Sequence, residues 1–408
     1  MRKINPNDFS VATRTTSRDI NRQIALNLVR EHQPLSRADL ARHMQVRRGV
    51  VSVLVNELID EGLIYEGATG ETARGRKPTF LHVRTQNRLV VAVDVRFSRT
   101  YLSLSDFGGR QIALEIFDTI FAPDKFIKSL AARVVKLLDA HNARSLCEGI
   151  GVVVPGIVDH RTGRILNAPT LGWRDINIRD ALARETRLAV HVENAAKACA
   201  LAQMWHANGD AAGAHNFAHV SISDGVGVGL VLNGELVRGH DNIAGEFGHV
   251  PLSIDGPRCL CGAAGCWEAY ISNIATLSRY FGRDLSEVEP KAELDGNRNS
   301  LTVTDLIARA RSGDAKATGA IRVTARYLGL GLTSLIHAVN PARVYLGGEI
   351  TGAWDLIEGG VRAALAERAL TAEAVGTPIH LAASVDHPRL RGASALVAAP
   401  TFAAPRVA

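Results

Sequence analysis

Apolar residues in the first ninety positions recur at helical spacing, and beyond them they gather into strand-length runs. Residues 18–31 place Ile20, Ile24 and Leu28 on one face, which predicts a first helix. Ser36 then stands as a candidate N-cap, with Asp39 three residues on completing an acidic capping box. The short helix that follows turns Leu40, Ala41 and Met44 inward and ends near Gln45 and Val46. In residues 47–61, Val51, Leu54, Val55 and Leu58 fall at i, i+3, i+4 and i+7, and the opposite face carries Arg48, Ser52 and Asn56. Gly62 stops this third helix. Residues 63–65 and 79–83 read as two strands around a polar loop that holds Arg74, Arg76 and Lys77. Together these elements predict a winged helix-turn-helix.

From about Leu89 the pattern changes to buried strands alternating with helices. Strands are predicted at 89–95, 100–105, 111–118 and 149–154, with helices at 126–141 and 179–185. A strand-rich order of the same kind returns at 217–223 and 227–233, followed by a long helix at 315–337 and a strand at 343–346. Such recurrence predicts an α/β body of two related lobes with a cleft between them.

Charge sharpens this division. The 408 residues carry a net charge of +6, and all of it lies at the front. Residues 1–90 hold 15 Lys and Arg against 9 Asp and Glu, while the other 318 balance at 32 each. A basic head on a neutral body points to a polyanion partner. Helices bearing Arg and Asn fit the DNA major groove, and a basic wing tip reaches a minor groove or phosphates. The candidate DNA-contacting set is Ser36, Arg37, Arg47, Arg48, Ser52, Asn56, Arg74, Arg76 and Lys77. Gly49 weakens the third helix, which implies close backbone approach by DNA or by a neighbouring helix.

With 46% hydrophobic and 22% charged residues, the chain is neither disordered nor collagen-like. The first 19 residues lack an apolar signal core, and no apolar run approaches a membrane span. A cytoplasmic protein is expected. Five cysteines do not make a disulfide framework in a chain of this length. Cys259, Cys261 and Cys266 instead cluster behind His249, the donor set of a structural Cys₃His zinc site. Gly262 and Gly265 would let the short loop wrap the ion. Cys147 and Cys199 read as small core residues.

These motifs resemble the ROK family, named from repressors, open reading frames and sugar kinases. The resemblance spans about residues 12–398 and rests on several segments. They are the zinc signature, the stretch Gly151 to Asp159 with Pro155 and Gly156, the later Pro169 and Trp173, Glu193-Asn194 opening a small-residue helix, the Gly225-x-Gly227-x-Gly229 hairpin, Gly347-Gly348 and Arg391-Gly392-Ala393. The winged head resembles the repressor branch. What the resemblance implies is a duplicated actin/hexokinase-type fold with a sugar pocket formed by Asn194, Glu246, His249 and Glu268. His249 would bind the metal through one nitrogen and face the sugar with the other.

Kinases of this family place an Asp directly after that Asn as general base; here the position is Ala195. Their phosphate loop runs Asp-x-Gly-Gly-Thr, whereas Asp94 is followed here by Val95, Arg96 and Phe97. The second loop carries Asp224, an acid where an anionic nucleotide would lie. The Asn usual after the proline is Thr170. A dinucleotide fingerprint is also excluded, because position 230 is Leu.

The expected organisation is a tail over 1–16, the winged head over 17–84 and a ROK domain over 85–408. Lobe 1 would span about 85–192 plus 385–408, and lobe 2 about 193–384. The expected function is a sugar-controlled transcriptional regulator without phosphotransfer, a repressor acting as a homo-dimer or homo-tetramer on operator DNA. An active sugar kinase with a fused head is the alternative. The sequence does not name the sugar.

Overall fold

A computed structural model describes residues 14–69, 77–206, 215–283, 301–382 and 387–403. The predicted wing tip residues Arg74 and Arg76, and the polar stretch 284–300, lie outside the described residues.

The head is built from α1 (Arg14–His32), β1 (Leu35–Ser36), α2 (Arg37–Met44), α3 (Arg48–Asp60), β2 (Ile64–Thr69) and β3 (Thr79–Val83). Its three strands pair in the order β1-β3-β2, with Leu35 opposite Leu81. The capping box forms as the sequence predicts: the Ser36 hydroxyl accepts from the Asp39 amide, and Asp39 accepts from the Ser36 amide. All four predicted apolar positions of α3 are buried. The inward face of α1 differs from the expected one. Ala25, Leu26 and Val29 are fully buried, whereas Ile24 is 44% exposed. The cause is that α1 packs on two surfaces, the other head helices and the body.

The body comprises β4 (Leu89–Val95), β5 (Arg99–Asp106), β6 (Gln111–Asp118), α4 (Pro123–Ala140), β7 (Cys147–Val154), β8 (Ile157–Asp159), β9 (Arg164–Ala168), β10 (Trp173–Ile176), α5 (Ile178–Thr186), β11 (Val190–Asn194) and α6 (Ala195–His206). It continues with β12 (Phe217–Ile222), β13 (Val226–Leu232), β14 (Glu235–Leu236), α7 (Glu268–Ile271), α8 (Asn273–Phe281), α9 (Val303–Arg311) and α10 (Ala315–Val339). β15 (Arg343–Gly348), α11 (Trp354–Arg368), α12 (Ala372–Val375), β16 (Ile379–Leu381) and α13 (Pro388–Phe402) complete it.

Its two large sheets repeat one topology. β4, β5 and β6 form an antiparallel meander, β7 pairs parallel with β4, and β11 pairs parallel with β7. In the second sheet β12, β13 and β14 form the meander, β15 pairs parallel with β12, and β16 with β15. The small sheet β10-β9-β8 has no counterpart in the sequence reading, because its strands of three to five residues are too short to show a period.

α6 and α13 lie against each other, and small residues make that possible. A methyl group on Gly392 would stand 2.1 Å from the Ala198 carbonyl oxygen. Ala393 in turn presses on Gly151 of β7, where an added Cβ would meet the Ala393 oxygen at 1.9 Å. The far ends of both helices reach the head. Val397, Ala398 and Phe402 share one apolar cluster with Ala25, Leu26 and Val29. Gln23 and Asn27 of α1 donate to the Thr401 and Phe402 carbonyls at 2.6 and 2.8 Å. The Arg30 guanidinium lies 4.1 Å from the Trp205 ring centre and 5.1 Å from that of Phe402. The head is docked on the body.

Replacing Gly392 by Ala is expected to destabilise the chain by about 1–3 kcal/mol, since a backbone carbonyl must move to admit the methyl. Chemical denaturation of the variant checks this; an unchanged midpoint would contradict the contact.

Candidate functional site

Three groups of side chains stand out: the exposed face of the head, the cysteine loop, and the cleft between the lobes. On the head, Arg47 is the N-cap of α3 without a side-chain capping bond, and Arg47, Arg48 and Lys77 are exposed. Ser36 is 5% exposed with its hydroxyl bonded to Asp39, so it holds α2 in place and offers no group to a duplex. Arg37 braces the head at its surface. It pairs with Glu66 on the wing, donates to the Asn56 side chain at 2.9 Å and reaches the Ser52 carbonyl. The Ser52 hydroxyl donates to the Arg48 carbonyl at 3.0 Å. A Cβ on Gly49 would meet nothing within 4 Å, so no neighbouring helix approaches it, contrary to one of the two expectations.

The cysteine loop follows a single helical turn, Phe247–His249. Backbone bridges of Pro251 with Cys266 and of Arg258 with Ala264 fold it back on itself. Gly265 adopts a φ of 72°, and any side chain there would strike the Ser253 carbonyl. Donor atoms of His249, Cys259, Cys261 and Cys266 all come within 4.8 Å of one another, a cluster able to hold a metal ion. His249 turns Nδ1 toward Cys259 Sγ at 3.7 Å and Nε2 toward Glu246 at 3.9 Å. Its two nitrogens thus face different neighbours.

Around this loop lie the expected sugar-pocket residues. Glu268 accepts from the Val226 amide at 2.8 Å, and its other oxygen lies 3.3 Å from Cys259 Sγ. Burial pushes the Glu246 carboxyl above its usual range, opposed by His249 and Lys197. Asn194 is heavily engaged: it donates to the Gly156 carbonyl at 2.7 Å and accepts from the Ala196 and Lys197 amides, capping α6.

Several residues at the cleft were not singled out from sequence. Lys197 is 2% exposed and donates to the Asn242 carbonyl at 2.5 Å, its ammonium pulled down by burial and held up by Glu193 and Glu246. Arg238 pairs with buried Glu193 at 2.9 Å, and the Asn242 side chain meets His160 at 2.6 Å. A lone lysine in a run of alanines was the available signal. At the other end of the cleft, Asp94 is fully buried and accepts from Arg96 at 2.7 Å. Arg389 of α13 lies 3.9 Å from Asp94 and 3.3 Å from the Ser223 hydroxyl, joining the two sheets. Asp224 is exposed, and desolvation and the Glu349 charge push its carboxyl up.

Residues 106–399 match the ROK family. The chain belongs to the ROK family. Residues 23–75 match the MarR family, which falls on the winged head. Among ROK relatives, a putative xylose repressor of Caldicellulosiruptor sp. (strain Rt8B.4) is 30% identical over 396 residues, covering 95% of this chain and 98% of the relative. A crystal structure of a ROK family transcriptional regulator, homologous to the Escherichia coli MLC protein, superposes with a TM-score of 0.78 at 24% identity, covering 95% of this chain and 97% of that one. This supports the actin/hexokinase-type fold with its added head. A ROK family glucokinase from Streptomyces griseus, solved with glucose and AMPPNP, gives a TM-score of 0.64 at 26% identity over 75% of this chain and 98% of that one. No helix among the described residues is long and apolar enough to cross a membrane.

Two expectations follow. Ser36→Ala should lower stability by about 1 kcal/mol and leave the affinity of the folded protein for DNA unchanged; a selective loss of affinity would contradict a capping role. Cys261→Ser should lower both bound metal, measured by elemental analysis, and the melting temperature, and a chelator should do the same to the parent protein.

Proposed function

We propose that this ROK protein is a DNA-binding repressor of sugar-metabolism genes, controlled by a sugar or sugar derivative held between the lobes, and that it has lost phosphotransfer. The observation that carries this reading is the route from cleft to head. α6 begins at Asn194 and Lys197 in the cleft and ends at Trp205 against Arg30 of the head. α13 begins with Arg389 between the lobes and ends with Thr401 and Phe402 bonded to α1. A ligand that prefers one lobe arrangement acts on both helices at their cleft ends, and their far ends carry the head. The leverage equals the ligand's differential affinity for the two arrangements.

In the pocket, Glu246 and Glu268 would accept from sugar hydroxyls, and His249 would offer its second ring nitrogen, with the other held by the metal. Three thiolates and one imidazole make a donor set that suits zinc in a closed structural site. When bound, zinc would hold the loop that carries His249 and supports Glu268. Asn194 positions the start of α6 and lends its carboxamide oxygen to two backbone amides, so its contribution to a sugar comes chiefly through that placement.

Phosphotransfer lacks its parts. Ala195 cannot take a proton from a hydroxyl. Arg96 turns back onto Asp94, so the position that is glycine in the kinases is filled by a guanidinium and its ion pair. Asp224 and Glu349 add negative charge beside it. DNA contact falls to Arg47, Arg48 and Lys77 on described surfaces and to Arg74 and Arg76 on the wing. Reading paired half-sites requires a two-fold assembly, at least a homo-dimer.

Titration of operator DNA with the protein, in the presence of a panel of free sugars and their derivatives, tests the reading. One sugar should weaken binding at least tenfold, and Glu246→Gln should shift that response to higher sugar concentration while leaving sugar-free DNA binding intact. No response to any sugar would overturn the effector assignment. ATP-dependent phosphorylation of any member of the panel would overturn the loss of catalysis.

A further inference from the structure

The outermost row of α3 is mixed, not uniformly polar. With Val51, Leu54, Val55 and Leu58 inward, the helical period sets Gly49, Val53, Asn56 and Asp60 farthest from the core. Ser52, expected to point outward, lies on the flank, and its hydroxyl is returned to the helix at the Arg48 carbonyl. The Asn56 oxygen is taken by Arg37. Beside Asn56 and Asp60, α3 also presents apolar side chains, one on its outer row and one on a flank. Val53 is 52% exposed and Val50, one turn earlier, 43%. Beside them Gly49 leaves open space above the backbone. Arg47 and Arg48 stand exposed at the start of the same helix, and Lys77 is exposed at the wing.

We propose that Val53 and Val50 read thymine by its C5-methyl group, with Gly49 admitting the first turn of α3 deep into the major groove. This rests on the DNA-binding reading and deepens it. The thymine methyl is the one apolar group that base pairs present on the major-groove floor. Two β-branched side chains cannot satisfy the donors and acceptors of the other bases and would bury them without partners. The positive charge at the helix start identifies the occupant as a polyanion, since a protein docking on two valines would not call for Arg47 and Arg48 beside them. The half-site therefore carries A·T pairs beneath the first two turns of α3, and phosphate contacts at its N-terminus set the register.

Duplexes selected from a random library by the full-length protein provide the probe. Replacing each selected thymine in turn by deoxyuridine removes one methyl and nothing else. At one or two positions per half-site the affinity should fall about fourfold. Val53→Ala should abolish that discrimination, binding thymine and uracil duplexes alike with an unchanged salt dependence. Val53→Thr, which keeps the shape, should discriminate weakly. Because Val53 touches solvent, both variants should melt as the parent does. Gly49→Ala should melt higher yet bind more weakly. Methyl-independent binding at every position would overturn the proposal and leave DNA binding standing. Failure to enrich any sequence would overturn the DNA-binding reading itself. Methyl-independent binding together with reduced self-association of Val53→Ala would assign the valines to a contact between copies and overturn it as well.

Discussion

The contact between α6 and α13 governs how this molecule can work. Gly392 brings a helix backbone against the Ala198 carbonyl, at a distance that no side chain permits. Ala393 and Gly151 do the same between α13 and the first sheet. Interiors packed this closely do not deform gradually; they shift as blocks or not at all. On the proposed function, a displacement at Lys197 or Arg389 in the cleft would be passed along both helices to Trp205 and Phe402 beneath the head. A looser packing of larger side chains would absorb the same displacement.

The charges in the cleft reinforce this coupling. Asp94, Arg96, Arg389 and Ser223 join the two sheets at one end of the cleft. With Asp94 buried and Arg96 partly exposed, this ion pair contributes little net stability, because the cost of taking charge out of water offsets much of the attraction. Its effect is on geometry. Asp94 comes from the first sheet, Ser223 from the loop after β12, and Arg389 from the helix that reaches the head. Fixing their arrangement ties lobe orientation to head position.

Much of the fold was legible because it depends on local periodicity. The four inward positions of α3, the Ser36–Asp39 capping box, the strands from Leu89 onward and the Cys-x-Cys-x₄-Cys loop all follow from spacing along the chain. The short strands β8 to β10 escaped because three to five residues cannot establish a period. Ile24 was misassigned because α1 answers to two neighbours, and a single-face pattern describes only one. In the site, the cluster of His249 with three cysteines could be read directly, since ligand chemistry is written in residue type. Lys197, Arg238 and Arg389 could not, because their partners are 45 to 295 positions away and only the folded topology brings them together. Ser36 illustrates the converse: a polar residue of the head expected at the DNA is buried, and its hydroxyl caps α2.

Such internal use also bears on the mixed face of the recognition helix. A small domain must hold its wing and helices in fixed relation before either can read a sequence, and Arg37 does so by joining Glu66, Asn56 and the Ser52 backbone. Each hydrogen bond given to that brace is one the helix can no longer offer to a base. Shape and apolar contact, which need no donor, then add to discrimination. The localised arginines supply attraction to any duplex, as the +6 of the first ninety residues requires, but attraction of that kind is indifferent to sequence. On that reading the two valines and the bare Gly49 backbone add an apolar contribution to what Arg48 and the Asn56 amide offer a base edge.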